Sequence, residues 1–166
     1  MERPPRWFVS VVASITLLFG ATLLPTPATG AGPLDGIKIC IDPGHGGDAD
    51  PGAVNADFGL VESEINLDVA FALTELLETD GAKVVLTRVE DIFMENRPRY
   101  TFCNSEEATI LVSVHTNSVA GPQYDGGLTL RMKPDDLPLA QAVHDVMVPA
   151  LAVNAPDPDN PFLDFG

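Results

Sequence analysis

Two histidines and one glutamate are the residues of this sequence best suited to chemistry. His45 lies in the glycine-rich segment 42–47 (DPGHGG), His115 lies in segment 113–117 (SVHTN), and Glu62 begins a long amphipathic stretch. Two imidazoles and one carboxylate form a zinc ligand set that leaves the fourth position open to water. An open position is typical of a catalytic site, so these residue types favour metal-dependent hydrolysis.

The hydrophobic pattern predicts elements that bring these residues together. Short β-rich runs alternate with stretches of helical periodicity. This alternation predicts an α/β fold: a single domain with a mainly parallel, twisted sheet and helices on both faces. The predicted strands are 37–41, 83–87, 110–114 and 126–130, and the predicted helices are 63–80, 94–104 and 137–151.

The order of these elements predicts one shared site. In an open α/β sheet, functional groups collect beyond the carboxyl ends of the strands. His45 follows the first predicted strand, His115 ends the third, and Glu62 lies at the start of the first long helix. We therefore expect the three side chains to converge at one edge of the sheet. The glycines of segment 42–47 allow the backbone to turn tightly there.

Local features give further predictions. Ser63 is expected to cap the first helix, and His144 is expected to lie on a solvated face of the last helix. The apolar strand 110–114 is expected to be covered on both faces. Cys40 and Cys103 allow two interpretations, either a disulfide in an oxidising compartment or, for Cys40, a small buried hydrophobe.

Composition and charge limit the classes of function that are possible. The chain has 166 residues, 45% of them hydrophobic, which is enough for one sizeable core. Its net charge of −15 excludes a protein held on nucleic acid or anionic lipid by bulk electrostatics. Residues 1–31 begin with basic residues, continue with an apolar stretch and end in small residues suited to signal peptidase. This pattern predicts a signal peptide ahead of one domain, 32–166. An uncleaved membrane anchor is the alternative, and either interpretation predicts export.

Four motifs resemble, in order, those of a known family. They are DPGHGG (42–47), ESEINL (62–67), LTR (86–88) and SVHTN (113–117). From about residue 37 to residue 130 the chain is similar to the zinc-dependent N-acetylmuramoyl-L-alanine amidases of the type 3 amidase family, which are cell-wall hydrolases. The resemblance implies one Zn²⁺ ion bound by His45, Glu62 and His115.

The resemblance also implies roles for neighbouring residues. Glu64 is then a helix N-terminal carboxylate favoured by the helix dipole rather than a metal ligand. Arg88 and Arg97 match the family pattern as structural partners for carboxylates. Three residues allow both a role beside the metal or in substrate contact and a purely structural role: Asp42, Asn66 and Asn117.

The function implied by the resemblance is hydrolysis of the amide bond between N-acetylmuramic acid and the L-alanine of the stem peptide. Peptidoglycan is then the partner, in the periplasm, the cell wall or outside the cell, with no nucleic acid and no membrane span after leader removal. Members use a glutamate on a late strand as general base, and we expect it, with the last strand and closing helix of the family fold, beyond residue 166. The alternative is a truncated zinc-binding wall module with little or no activity.

Overall fold

The computed structural model describes residues 32–116 and 126–154, together with the backbone of residues 163–164. The proposed leader and Asn117 lie outside the described residues. In chain order the elements are β1 (Lys38–Pro43), β2 (Val54–Asn55), β3 (Leu60–Val61), α1 (Glu62–Thr79), β4 (Lys83–Leu86), α2 (Asn96–Ser105), β5 (Ile110–Val114), β6 (Gly126–Gly127), a 3₁₀ turn (Pro134–Asp136), α3 (Leu137–Asn154) and β7 (Leu163–Asp164).

The central sheet has three parallel strands in the order β4–β1–β5. Ile39 of β1 is paired with Val84 on one side and with Ile110 on the other. At the carboxyl edge, Pro43 is paired with Val114. This register confirms the predicted α/β fold, and it places the loop after β1 beside the end of β5.

The two faces of β1 pack against different helices. Ile39 and Ile41 point to one face, where they form the core with Ala70 of α1. Cys40 points to the other face, because side chains alternate along a strand, and it forms a disulfide with Cys103 of α2. Helices therefore lie on both faces of the sheet, as predicted, and the disulfide interpretation of the two cysteines is the one the structure adopts.

The start of α1 differs from the prediction. The helix begins at Glu62, and Ser63 is fully buried in its first turn rather than capping it. Backbone carbonyls replace a side-chain cap: Ala53 accepts a hydrogen bond from the Glu62 amide at 2.8 Å, and Pro51 accepts one from the Ser63 amide at 3.1 Å. The preceding loop thus satisfies amides that an N-cap side chain usually serves.

Three further predictions about local structure are wrong. His144 is buried, and its Nδ1 atom lies 3.3 Å from the Thr129 hydroxyl oxygen, because α3 packs on the segment that follows β6. Leu111 of β5 is 46% exposed, since only the alternate residues of that strand face the core under α1. The strand predicted at 126–130 is limited to Gly126–Gly127, which pairs in parallel with β7 and not with the central sheet.

The remaining helices are close to their predicted bounds. In α2, Pro98 lies in the first turn, where its missing N–H costs no helical hydrogen bond. The third helix continues to Asn154 and contains Pro149. Among the described helices, none has the length and apolar character needed to cross a membrane.

Candidate metal centre

Three potential ligands converge at the carboxyl edge of the sheet. His45 lies in the loop after β1, Glu62 is the first residue of α1, and His115 directly follows β5. Their nearest donor atoms lie within 4.8 Å of one another. The Glu62 Oε1 atom is 3.5 Å from Nε2 of His45 and 3.1 Å from Nδ1 of His115. The two imidazole rings meet edge to face, with centroids 4.9 Å apart.

The orientation of His45 is fixed by Asp50. The Asp50 carboxylate lies 2.7 Å from Nδ1 of His45 and accepts a hydrogen bond from it. A proton held on Nδ1 leaves the lone pair of Nε2 directed at Glu62 and the centre of the cluster. This carboxylate–histidine arrangement is the one that commonly orients histidine ligands of metals.

Glu62 is buried and held in its ionised form. Its side chain is 4% exposed, and Oε2 accepts a hydrogen bond from the Ala53 amide at 2.8 Å. Its Oε1 atom accepts one from the Thr116 amide at 3.1 Å. Burial by itself raises the pKa of this carboxyl, but the Ala53 amide, His115, His45 and the Thr116 amide together lower it below its ordinary value. The carboxylate is therefore available as an anionic ligand.

Glycine at position 44 lets the first loop approach His115. A β-carbon at Gly44 would overlap the His115 ring. The amide of Gly44 also donates a hydrogen bond to the Val114 carbonyl at 2.9 Å. Asn66 of α1, which is fully buried, donates to the Gly44 carbonyl at 3.2 Å and accepts from the Thr116 hydroxyl at 3.3 Å. Asn66 therefore ties together the loops that carry the two histidines.

Asp42 lies beneath the site rather than in it. Its carboxylate pairs with the Arg99 guanidinium at 2.9 Å and accepts hydrogen bonds from the hydroxyls of Thr87 and Ser113. These groups hold the end of β1 against β4, β5 and α2. Glu64, by contrast, is exposed in the first turn of α1.

Of the two arginines expected to pair with carboxylates, Arg88 does so and Arg97 has no such ion pair among the described residues. Arg97 is exposed, whereas Arg99, two residues later, is buried and makes the ion pair with Asp42. Arg88 is also buried, but it donates mainly to backbone carbonyls and lies 3.7 Å from the Asp91 carboxylate. Sequence reasoning also missed Asp50, although an acidic residue five positions after a candidate ligand is a signal that could have been used.

A cavity opens beside Glu62. Its volume is about 520 Å³, and its wall includes Glu62, Thr116, Ile65 and residues 53–57. Part of that wall is the β2–β3 hairpin, in which Val54 pairs with Val61. A substrate placed in this cavity would therefore contact Glu62, one of the three potential ligands.

The donor set fits a zinc ion. Bonds of about 2.0–2.1 Å place two ligands of a tetrahedral zinc about 3.4 Å apart. The separations of 3.5 and 3.1 Å from Glu62 to the two histidines lie close to that value, and the donor atoms of the whole set lie within 4.8 Å of one another. Imidazole nitrogen and carboxylate oxygen are ligands that zinc accepts, and three of them leave one coordination position free.

Comparison with known proteins identifies the family. Residues 39–160 match the Amidase_3 family, N-acetylmuramoyl-L-alanine amidase. Because this match covers most of the chain, the protein belongs to that family. The family confirms the resemblance drawn from the four motifs, and amidase catalytic domains share its α/β architecture.

Individual relatives agree with this membership. The chain is 38% identical over 97 residues to the N-acetylmuramoyl-L-alanine amidase LytC of Bacillus subtilis, covering 58% of this chain and 19% of that protein. It is also 38% identical over 105 residues to the uncharacterised protein YqiI of the same organism, covering 63% of this chain and 50% of that protein. The catalytic domain of the amidase CwlV from Bacillus (Paenibacillus) polymyxa superposes with a TM-score of 0.65 at 30% identity, covering 69% of this chain and 64% of that domain. The chain thus spans half or less of the length of these two curated relatives.

Proposed function

We propose that this protein is an exported, zinc-dependent peptidoglycan hydrolase that cleaves the amide bond between N-acetylmuramic acid and L-alanine. In this proposal residues 32–166 belong to the amidase domain, and His45, Glu62 and His115 are the zinc ligands. The observation that carries the proposal is the convergence of these three donors at the sheet edge of a chain that belongs to the amidase family.

The residues around the site suit that reaction. A zinc ion bound here would act as a Lewis acid toward the scissile carbonyl and lower the pKa of water to about 7. Asp50 keeps the proton on Nδ1 of His45, so that Nε2 stays available as a ligand. The lowered pKa of Glu62 keeps it ionised at neutral pH. The cavity beside Glu62 gives the stem peptide a place to lie next to this carboxylate.

Amide hydrolysis also needs a base that takes a proton from water and passes it to the leaving amine. Glu62 is engaged by the Ala53 and Thr116 amides and by both histidines, and Asp50 is engaged by His45. Neither Glu62 nor Asp50 is therefore assigned as the general base. We propose that the base is a further carboxylate, which the resemblance implies to be a glutamate on a late strand of the family fold.

Export is proposed from the first 31 residues and from the substrate. A basic start, an apolar stretch and small residues before Ala31 form the pattern of a secretory leader. The N-terminal sequence of the protein recovered from the cell envelope or medium tests this directly. A mature chain that starts near Ala31 supports a cleaved leader, and an intact N-terminus in the membrane fraction supports the anchor instead.

The amidase proposal is tested with the complete gene product and purified peptidoglycan. We expect release of stem peptides with new N-terminal L-alanine, loss of release with a chelator, and recovery when zinc is added back. His45→Ala should remove both zinc, measured by elemental analysis, and activity. His144→Ala, which alters a histidine outside the cluster, should remove neither. A protein that binds zinc and releases no stem peptide would refute the amidase and favour a non-catalytic wall module.

A further inference from the structure

Two buried guanidinium groups hold the backbone of the loop that carries His45. Arg99 donates to the carbonyl oxygens of Pro43 and His45, both at 2.8 Å. Arg88 donates to the carbonyl oxygens of Pro43 and Gly44, at 3.0 and 3.1 Å. Three successive carbonyls, those of residues 43 to 45, are therefore bound by charged donors. Hydrogen bonds from charged donors are stronger than neutral ones, so this segment of the loop is tightly restrained.

The restraint matters because His45 has an unfavourable backbone conformation. Its φ angle is +60°, in the left-handed region that non-glycine residues rarely adopt. Such a conformation persists only where surrounding contacts hold it. Arg99 donates a hydrogen bond to the carbonyl oxygen of His45 itself. Arg88, in contrast, donates to the carbonyl oxygens of the two preceding residues. Arg99 is thus the guanidinium that directly restrains His45.

The position of Arg99 is itself fixed by contacts between α2 and β1. Its side chain is 5% exposed and is paired with Asp42, the residue two positions after Cys40 on the same face of β1. On α2, Arg99 and Cys103 are four residues apart and share one face. The helix is therefore joined to β1 by an ion pair at one turn and by a disulfide at the next. This double attachment presents a rigid guanidinium to the loop.

We propose that Arg99 is a positioning residue that sets the direction of the His45 imidazole through the backbone of the loop. This inference rests on the proposed role of His45 as a ligand. Without the Arg99 hydrogen bond, the His45 peptide is free to leave φ = +60°. Nε2 then moves away from Glu62. The hydrogen bond from Arg99 ends on the backbone of His45, not on a donor atom of the cluster, and Arg99 does not line the cavity, so its effect reaches the metal only by way of the His45 backbone.

The test compares Arg99→Gln and Arg99→Lys with Arg97→Gln, a matched control that removes an exposed arginine from the same helix. Gln removes the charge and the fork of donors, whereas Lys keeps the charge but offers a point donor that cannot bind two carbonyls and Asp42 in the same planar geometry. Zinc affinity is measured by competition with a chromophoric chelator. Ligand geometry is followed by the visible absorption of the cobalt-substituted protein. The histidine ring NMR signals of the metal-free protein report on His45 independently of metal.

We expect zinc affinity to fall by about 10–100-fold in Arg99→Gln and by less in Arg99→Lys, the range typical when support of a ligand is removed. The cobalt spectrum should change, and the His45 ring signals should shift while those of His144 stay in place. Arg97→Gln should resemble the wild type throughout. Folded Arg99 variants with wild-type affinity, spectrum and ring signals would overturn the proposal.

Two other outcomes are also decisive. If Arg99→Gln does not fold, the Arg99→Lys variant carries the comparison, and failure of both to fold while Arg97→Gln folds would overturn positioning in favour of a purely structural role. If the wild type binds no zinc, the proposed zinc hydrolase is refuted. The His45 ring signals of the metal-free variants then still decide whether Arg99 orients this side chain.

Discussion

Replacing Gly52 with alanine should disturb two of the proposed zinc ligands at once. A β-carbon at this position would lie 2.6 Å from Cδ2 of His45 and 2.8 Å from Oε2 of Glu62. Ordinary contacts of a β-carbon begin at 3.4 Å. The imidazole or the backbone at residue 52 must therefore give way by about 0.8 Å to reach an ordinary packing distance. Retreat of the backbone is opposed by the hydrogen bond from the next amide, that of Ala53, to Glu62.

A displacement of this size is large for a metal site. Metal–ligand distances hold to within about 0.2 Å, so a shift several times larger removes the ligand from its place. We expect the zinc affinity of Gly52→Ala to fall by at least the roughly 10–100-fold typical of disturbed ligand orientation, which corresponds to about 1.4–2.7 kcal/mol. Competition with a chromophoric chelator at pH 7 measures this directly.

Gly59→Ala is the matched control. Gly59 also has a positive φ, +64° against +70° for Gly52, so alanine strains the backbone similarly at both positions, by about 1–2 kcal/mol. However, a β-carbon at Gly59 meets nothing within 4 Å. Urea unfolding of the metal-free variants should therefore show the backbone cost in both and a further loss of stability from the overlap in Gly52→Ala. Only Gly52→Ala should bind zinc more weakly. Equal zinc affinities in the two folded variants would refute the assignment of His45 and Glu62 as ligands.

Three further predictions concern the disulfide, the support of His45 and the response to acid. Replacing Cys40 and Cys103 together with alanine should lower the free energy of unfolding by up to about 4 kcal/mol, since the bridge spans 63 residues, and urea denaturation checks this. Asp50→Ala should weaken zinc binding about 10–100-fold in the chelator assay while leaving the fold intact, because it removes the acceptor for Nδ1 of His45. The lowered pKa of Glu62 means that its ionised form adds stability above about pH 4.5, which is lost as the pH falls through the folded-state value. The difference in unfolding free energy between the metal-free wild type and Glu62→Gln should therefore shrink toward low pH, and a constant difference would contradict the lowered pKa.

The shared sheet edge was predictable because it follows from strand direction. Once the runs at 37–41 and 110–114 are recognised as parallel strands, the residues that follow them must emerge on the same side. Strand direction therefore predicts that His45 and His115 share one edge, and the structure adds that β1 and β5 are adjacent. The prediction needs only hydrophobic periodicity and the position of turn residues, which are local signals.

The features that sequence reasoning missed depend on contacts between distant segments. The β2 and β3 strands have two residues each, too few to show an alternating pattern within a loop rich in glycine and aspartate. Arg97 and Arg99 differ in role only because they lie on different faces of α2. The packing of the helix directs Arg99 toward β1 and leaves Arg97 in solvent. Ser63 is the type of residue that caps helices, but α1 begins one residue before it, at Glu62. The Pro51 carbonyl, in a distant part of the loop, accepts the hydrogen bond of the Ser63 amide.

The same contacts explain how a loop can hold a ligand as accurately as a strand does. The loop after β1 is bound from one face of the sheet by α1, through Asn66, and from the other by α2, through Arg99. Each helix is fixed in turn, α1 by the apolar core around Ala70 and α2 by its disulfide to β1. A shift of either helix must therefore move His45 relative to Glu62. The precision of the proposed zinc site is accordingly a property of the packing of both helices on β1, and it cannot be assigned to the glycine-rich motif alone.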